Sequence, residues 1–121
     1  MSVSETITTL VHEIHNLKEF EEIIQKEELF VLDFYSTQCP PCDVVAPLYK
    51  KLAEKYTNAK FYKINGLDPE GLIVQKSIDV VWWPTFVIYK NGKEVWRAKI
   101  PNPPQQYPTA ELEAELKKVY V

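Results

Sequence analysis

The run LFVLDFY at residues 29–35 constrains the fold more than any other segment of the chain. It is too short and too continuously apolar for a surface helix, so it predicts a central strand that is covered on both faces. A strand of this kind needs a packed layer on each side of its sheet, which favours an α/β architecture. Asp33 is the one acid in the run, so the sequence also predicts a buried carboxylate.

Strands and helices are expected to alternate along the rest of the chain. Asn16 followed three residues later by Glu19 is typical of a capping box, and apolar residues recur at helical spacing after Pro40. The predicted strands are 11–14, 29–35, 60–65, 85–90 and 93–100, and the predicted helices follow Asn16, span 40–56, lie near 69–76 and begin at Thr109.

This order predicts the topology of the sheet. Strand–helix–strand units predict parallel pairing through right-handed crossovers. Asn91 and Gly92, between the last two strands, are typical of a tight hairpin that adds an antiparallel edge. We therefore expect a mixed β-sheet of about five strands flanked by about four helices, in a single domain spanning residues 1–121.

Composition excludes some classes of partner. The chain has 121 residues, of which 45% are apolar and 26% are charged, and a formal net charge of −3. Nucleic-acid binding depends on clustered Lys and Arg, so this balance argues against a nucleic-acid partner. The N-terminal residues lack a basic segment followed by an apolar core, and no apolar run approaches the ~20 residues that span a membrane. We expect a cytoplasmic protein with no membrane partner.

The two cysteines, Cys39 and Cys42, stand where the central strand gives way to a helix, and Pro40 and Pro41 separate them. Proline is favoured in the first turn of a helix, and the residue before a proline takes the extended backbone that suits a cap. Cys42 then lies one turn inside the helix, within reach of Cys39. Because a helix N-terminus favours the thiolate, Cys39 can attack a disulfide and Cys42 can resolve the product.

Two other interpretations of the cysteine pair are weighed against this one. The pair could be half of a zinc site, but only His12 and His15 remain as partners, and both lie far upstream, so no metal is expected. The pair could also be purely structural, although cytoplasmic disulfides are usually catalytic or transient. A C-x-x-C motif beside a βαβ pattern is typical of thioredoxin-like redox chemistry.

The chain resembles the thioredoxin family over nearly its whole length. CPPC at residues 39–42 is similar to the family's Cys-Gly-Pro-Cys, in which the first cysteine is the nucleophile and the second resolves. Pro47 matches the proline that kinks the family's active-site helix. In WPTFVIYKNGK, Pro84 matches a cis-proline that faces the cysteines. The resemblance implies that the backbone of Trp83, just before it, pairs with an extended substrate.

Asp33 and Lys63 match two further family positions, a buried acid and the lysine beside it. Burial disfavours the charged form of a carboxyl group and raises its pKa. The resemblance implies that Asp33 accepts the proton of Cys42, through a water, when Cys42 attacks the mixed disulfide. The alternative is a structural acid that is paired with Lys63.

Three residues around the cysteines depart from the family pattern. Gln38 stands where the family has Trp, which removes a large ring beside the active site. Pro40 replaces a glycine, so fewer N–H donors can face the Cys39 thiolate, while the N–H of Cys42 remains. Trp83 replaces a smaller aliphatic residue and either covers the dithiol from the opposite side or packs against the core.

Two other departures are interpreted as structural. Trp82 is assigned to packing. The proline-rich segment IPNPPQQYP at residues 100–108 stands where the family has a glycine after the last strand. We interpret it as a rigid connector, with a reshaped partner surface as the alternative.

The resemblance implies a dithiol–disulfide oxidoreductase that reduces protein disulfides through a mixed-disulfide intermediate. It also implies no bound cofactor, electrons from an NADPH-dependent thioredoxin reductase, and a monomer. The alternatives are a specialised isomerase or oxidase with a narrowed substrate range, and a binding module on the same fold. The candidate site residues are Cys39, Cys42 and Asp33 for catalysis, Lys63, Pro84, Pro40 and Pro41 in support, and Trp83, Pro84 and Gln38 for substrate contact.

Overall fold

A computed structural model of the chain describes residues 10–120. Within this range five strands and four helices follow one another in the order that the sequence predicts. The strands are β1 (Val11–Glu13), β2 (Leu29–Tyr35), β3 (Lys60–Asn65), β4 (Thr85–Lys90) and β5 (Lys93–Lys99). The helices are α1 (Leu17–Lys26), α2 (Pro40–Lys55), α3 (Pro69–Ser77) and α4 (Ala110–Val119).

The strands form one mixed sheet in the order β1-β3-β2-β4-β5. β3 is parallel to both β1 and β2, whereas β4 is antiparallel to β2 and to β5. The predicted parallel pairing is therefore found for the first two strand–helix–strand units and not for the third, β3–α3–β4. Thr85, at the start of β4, pairs with Phe34 near the end of β2. The chain therefore enters β4 without first crossing back to the end of the sheet where β2 begins, and β4 runs antiparallel to β2.

β2 is covered on both faces, as its apolar run predicts, and six of its seven residues are buried. Val31 packs into the core that α2 and α4 share, while Phe30 and Leu32 pack into the core of α1 and α3. Successive side chains of a strand alternate between faces, so Asp33 points to the same side as Val31. The buried acid therefore lies under α2, the helix that begins at the cysteines.

The β4–β5 hairpin confirms the turn that the sequence predicts. Asn91 and Gly92 have φ angles of 53° and 81°, and a positive φ at both central residues is the signature of a tight type I′ turn. Further along, Ile88 pairs with Trp96 while Tyr89 pairs with Glu94, so Val95 forms a β-bulge in β5.

The last helix packs as its apolar spacing predicts. α4 begins just after Thr109, and Leu112 and Leu116 are fully buried in the α2 core, with Val119 and Tyr120 partly buried beside them. Among the helices between residues 10 and 120, none combines the length and the apolar character that a membrane span requires.

Candidate active site

Cys39 and Cys42 form a disulfide at the N-terminus of α2, with their Cα atoms 5.2 Å apart. Cys39 is the N-cap in an extended conformation (φ −141°), as expected before a proline, and Pro40 and Pro41 fill the first helical positions. The N–H of Cys42 donates to the Sγ of Cys39 at 3.3 Å. The cap therefore places one sulfur where a backbone donor can stabilise its negative charge.

Only the first of the two cysteines lines an open groove. The groove has a volume of about 390 Å³, and its walls include Cys39 but not Cys42. The exposed fraction is 8% for Cys39 and 4% for Cys42. A molecule that enters the groove therefore meets the sulfur of Cys39 before that of Cys42. The remaining walls are Gln38, Pro40, Pro41, Leu72, Gln75, Val81, Trp82, Trp83 and Asn102, none of which carries a charge.

The segment before β4 forms part of this groove. The peptide bond between Trp83 and Pro84 is cis, as the resemblance implies, and Pro84 is buried. The N–H of Ile100 donates to the carbonyl oxygen of Pro84 at 2.9 Å. Ile100 directly follows the last residue of β5, so this bond continues the pairing of the hairpin beyond the strand. Trp83 stands two residues before the start of β4, so its backbone takes no part in the pairing of the sheet.

The two tryptophans of this segment are held in different ways. The indole Nε1 of Trp83 donates to Oε1 of Gln75 at 2.7 Å, and its ring packs partly against the core of α1 and α3. The indole Nε1 of Trp82 donates to the carbonyl of Ile100 at 2.7 Å, while 42% of this residue is exposed. Trp83 is thus both a wall of the groove and a packed residue, and Trp82 adds exposed apolar surface that a packing role alone does not require.

The proline-rich segment after β5 also reaches the groove. Asn102 lines the groove, and the peptide bond between Asn102 and Pro103 is cis, which the sequence did not predict. Ile100 is tied to the indole of Trp82 through its carbonyl oxygen and to the backbone of Pro84 through its N–H. The segment therefore contributes to the surface around the cysteines as well as connecting β5 to α4.

Asp33 is 4% exposed, and its Oδ1 makes no hydrogen bond with any residue between 10 and 120. Burial raises the pKa of Asp33 from 3.8 to about 7, and attraction to the charge of Lys63 opposes part of this rise. Asp33 and Lys63 are partners in the register of β2 and β3. A carboxyl group that titrates near neutral pH can accept and return a proton under ordinary conditions.

Asp33 opens onto a second cavity, of about 380 Å³, that shares no wall with the groove. This cavity lies against α2 and also contains Pro47, Tyr49, Lys50 and Lys63. Most of the candidate residues therefore fall into two sets, while Cys42 and Pro84 line neither the groove nor the cavity. Gln38, Cys39, Pro40, Pro41 and Trp83 line the groove, and Asp33, Lys63 and Pro47 line the cavity behind it.

The sequence did not identify four residues that line the groove, Leu72, Gln75, Val81 and Asn102, nor Gly66, which lies against Gln75 and Trp83. Gln75 lies on a short helix and Gly66 in a connection, and neither belongs to a motif. The two upstream histidines have other neighbours, because His12 lies in β1 beside the ring of Tyr62 and His15 contacts Glu19. Among residues 10–120, no group of three or more His, Cys, Asp or Glu side chains could hold a metal ion.

Comparison with known proteins identifies one family. The family model described as Thioredoxin matches residues 11–117. The chain is 39% identical over 94 residues to Thioredoxin-1 of Saccharomyces cerevisiae, covering 78% of this chain and 89% of that protein. It is 40% identical over 96 residues to Thioredoxin AMT13 of Alternaria alternata, covering 78% and 76%.

Solved structures give the same result. The chain resembles mitochondrial thioredoxin 3 of Saccharomyces cerevisiae in its oxidized form, with a TM-score of 0.78, 29% identity, and coverage of 92% of this chain and 97% of the other. It resembles the thioredoxin of Plasmodium falciparum with a TM-score of 0.76, 27% identity, and coverage of 88% and 97%. The range that the family model matches, residues 11–117, contains the sheet, the cysteine-bearing helix and the segment around Pro84.

Proposed function

The chain belongs to the thioredoxin family and is a protein-disulfide oxidoreductase, and we propose that the CPPC segment at residues 39–42 is its active site. The observation that carries this proposal is the disulfide at the N-cap of α2, in which Cys39 faces the groove and Cys42 does not. A sulfur that is reachable and receives a backbone N–H is suited to attack, and its buried neighbour is suited to resolve.

The proposed reaction has two steps. The thiolate of Cys39 attacks a substrate disulfide, the substrate S–S bond breaks, and one substrate sulfur leaves and takes up a proton. Cys42 then gives its proton to Asp33, directly or through a water, and attacks the Cys39 sulfur of the mixed disulfide. The second substrate sulfur leaves and takes up a proton, and Cys39 and Cys42 are left oxidised. The substrate has gained two electrons and two protons.

Asp33 is proposed as the proton acceptor because its pKa of about 7 lets it take a proton in the second step and lose it afterwards. Lys63 would tune this group, since its positive charge favours the ionised carboxylate. Asp33 and Lys63 line a cavity that shares no wall with the groove, so a proton on Asp33 would be released there and not into the substrate groove.

The groove supports a polypeptide substrate. The backbone of Trp83 is not used by the sheet, so it can pair with an extended segment of the substrate beside the reactive sulfur. The uncharged walls, with Trp82 and Val81 exposed by 42% and 76%, favour an apolar or uncharged segment. Gln38 and Pro40 would contact the same segment from the side of the cysteines.

We propose that an NADPH-dependent thioredoxin reductase returns two electrons to the Cys39–Cys42 disulfide, and that the chain itself binds no cofactor. We further propose a monomer that consists of one domain and works in the cytoplasm, a compartment where a dithiol can be kept reduced. Reduction by a reductase and NADPH, with no other addition, would support the electron route.

The test is the reduction of insulin, followed with dithiothreitol and with NADPH and a thioredoxin reductase. The parent chain should reduce insulin, and Cys39→Ser should not. Cys42→Ser should accumulate a mixed disulfide through Cys39, which mass spectrometry would identify. Insulin reduction that persists in Cys39→Ser would contradict the proposal, and a parent chain that binds but never reduces disulfides would favour a binding module. A strongly oxidising reduction potential would favour an oxidase or isomerase.

A further inference from the structure

One side chain of α3 is joined to the active-site groove by a specific hydrogen bond. Gln75 is only 6% exposed, and its Oε1 accepts the indole N–H of Trp83 at 2.7 Å. An indole N–H can only donate, so it fixes the orientation of the amide, with the oxygen towards Trp83 and the NH₂ group turned away. The bond therefore orders both side chains.

Gly66 provides the space in which this bond forms. A Cβ atom at Gly66 would overlap both atoms of the bond, Oε1 of Gln75 and Nε1 of Trp83, and would lie 2.6 Å from Cε2 of the indole. The N–H of Gly66 donates to the carbonyl of Tyr35 at 2.7 Å, which holds the Gly66 backbone at the end of β2. The indole thus rests on a fixed backbone segment next to the strand that leads to Cys39.

The bonded pair lies in the wall of the groove. Both Gln75 and Trp83 line it together with Cys39. Trp83 supplies the backbone that we propose as the pairing edge for the substrate, and its indole forms part of the wall beside that edge. A rotation of its indole would therefore change the shape of the groove beside the reactive sulfur. Ordering a large side chain at the moment of binding costs conformational entropy and so weakens binding.

We propose that Gln75 is a positioning residue for the oxidoreductase reaction: it holds the Trp83 indole against Gly66 and so keeps the groove in the shape that binds the substrate. This inference rests on the function proposed above and extends it to a residue outside the CPPC segment. We expect Gln75 to act on substrate binding rather than on the sulfur chemistry, because its side chain is hydrogen-bonded to the indole of Trp83.

The kinetic test compares two replacements of Gln75 with a matched control. Gln75→Leu keeps the size of the side chain and removes the acceptor, and Gln75→Glu keeps an oxygen acceptor. Gln75→Leu should raise the KM for insulin about three- to tenfold with little change in kcat, because one side chain must be ordered on binding. The KM of Gln75→Glu for insulin should lie much closer to that of the parent. Gln25→Leu, on the exposed face of α1, should behave as the parent.

The spectroscopic test follows the indole N–H of Trp83 by nuclear magnetic resonance, with its signal assigned through Trp83→Phe. The signal should shift and exchange faster with solvent in Gln75→Leu. Gly66→Ala should give the same change, because its methyl group occupies the place of the bond. The signals of Trp82 and Trp96 serve as internal references.

The outcomes separate this inference from the proposed function. If the parent chain does not reduce insulin, the proposed function and this inference both fail. If the parent is active but Gln75→Leu leaves KM unchanged, or raises it without moving the Trp83 signal, the positioning role of Gln75 is wrong and the oxidoreductase assignment stands.

Discussion

Asp33 and Lys63 are register partners on two parallel strands, yet the ammonium of Lys63 lies over the ring of Tyr35, 5.5 Å from its centroid. The carboxyl group of Asp33 is therefore influenced by the positive charge without receiving a hydrogen bond at Oδ1. Burial outweighs this attraction, and the pKa of Asp33 lies near 7. The acid is thus held in a state from which a proton can move either way at neutral pH.

The raised pKa of Asp33 makes stability dependent on pH. Its pKa is 3.8 when exposed and about 7 in the folded chain, so the folded state binds the extra proton between these values. The unfolding free energy contributed by this group is therefore highest below the lower value and is lost as pH rises through the window. Asp33→Asn removes this titration. The unfolding free energy of the variant minus that of the parent should therefore increase by on the order of 4 kcal/mol as the pH rises from about 4 to about 8.

Urea unfolding of the oxidised proteins across this pH range checks the prediction. Asp43→Asn is the matched control, since Asp43 is exposed in the first turn of α2. If the curves of unfolding free energy against pH for Asp33→Asn and the parent run parallel, Asp33 does not titrate as the structure indicates.

Pro41→Ala should increase the ionisation of Cys39 in the reduced protein. The side chain of an N-cap residue accepts a hydrogen bond from the N–H of the second or third helical residue. Here Cys42, the third residue, donates its N–H to the Sγ of Cys39 at 3.3 Å, whereas Pro41, the second residue, has no N–H to donate. An alanine N–H would add a donor to the thiolate, so the thiolate to thiol ratio at a given pH should rise about three- to tenfold. The ultraviolet absorbance of the thiolate measures this. Pro69→Ala at the start of α3 is the control, and superimposed titrations of Pro41→Ala and parent would exclude the effect.

Trp82→Phe should lower the unfolding free energy by about 1 kcal/mol, because the carbonyl of Ile100 loses its indole donor. The segment after β5 should also loosen, since Ile100 is the residue that ties it to Pro84. Hydrogen exchange of the Ile100 amide should accelerate. The Asn91 amide, bonded to Glu28 at the other end of β4, should exchange as before. Unchanged exchange at Ile100 would show that the indole bond does not hold this segment.

Glu113→Gln should lower the thermal stability at neutral pH and not in acid. Oε2 of Glu113 accepts from Lys55 Nζ at 2.7 Å and from Tyr56 Oη at 2.6 Å, which ties α4 to α2. The hydrogen bond from Lys55 is the main cause that lowers the pKa of Glu113. The ionised Glu113 therefore stabilises the folded chain at pH values above the ordinary pKa of a glutamate. This stabilisation is lost as the pH falls through the lowered pKa that Glu113 has in the folded chain.

Melting temperatures of Glu113→Gln and the parent at neutral and acid pH test this. The effect should be small and weaken with salt, because the groups are near the surface. Glu115→Gln, whose partner Lys118 is on the same helix, is the control. A deficit of Glu113→Gln that persists in acid would point to packing instead of charge.

Much of the fold could be predicted because single segments carry strong signals. The apolar run of β2 required cover on both faces, and Asn91–Gly92 required the positive φ angles that the hairpin shows. Pro40 after Cys39 marked the start of α2 for local steric reasons. The reversal of β4 was not predicted, because the direction of a strand after a helix depends on where the chain returns, which no local pattern encodes.

The candidate site could be proposed from the sequence where its residues lie within a motif, and not where it depends on contacts between elements. Cys39, Cys42 and Asp33 stand in or next to recognisable segments. The bond from Trp83 to Gln75 joins α3 to the segment before β4, and it needs Gly66 from a third segment. Each of these residues is ordinary in its own sequence context. The position of the Lys63 ammonium likewise depends on side-chain packing and not on the strand register.

The outer edge of the sheet has a consequence for how the chain behaves in a crowded solution. Among the described strands, none covers the outer side of β5, whose backbone groups could serve as a template for another chain. The bulge at Val95 bends this strand, and Lys93, Arg97 and Lys99 place charge along it. Such an edge is a poor template for fibril growth, so we expect β5 to resist edge-to-edge pairing with other chains.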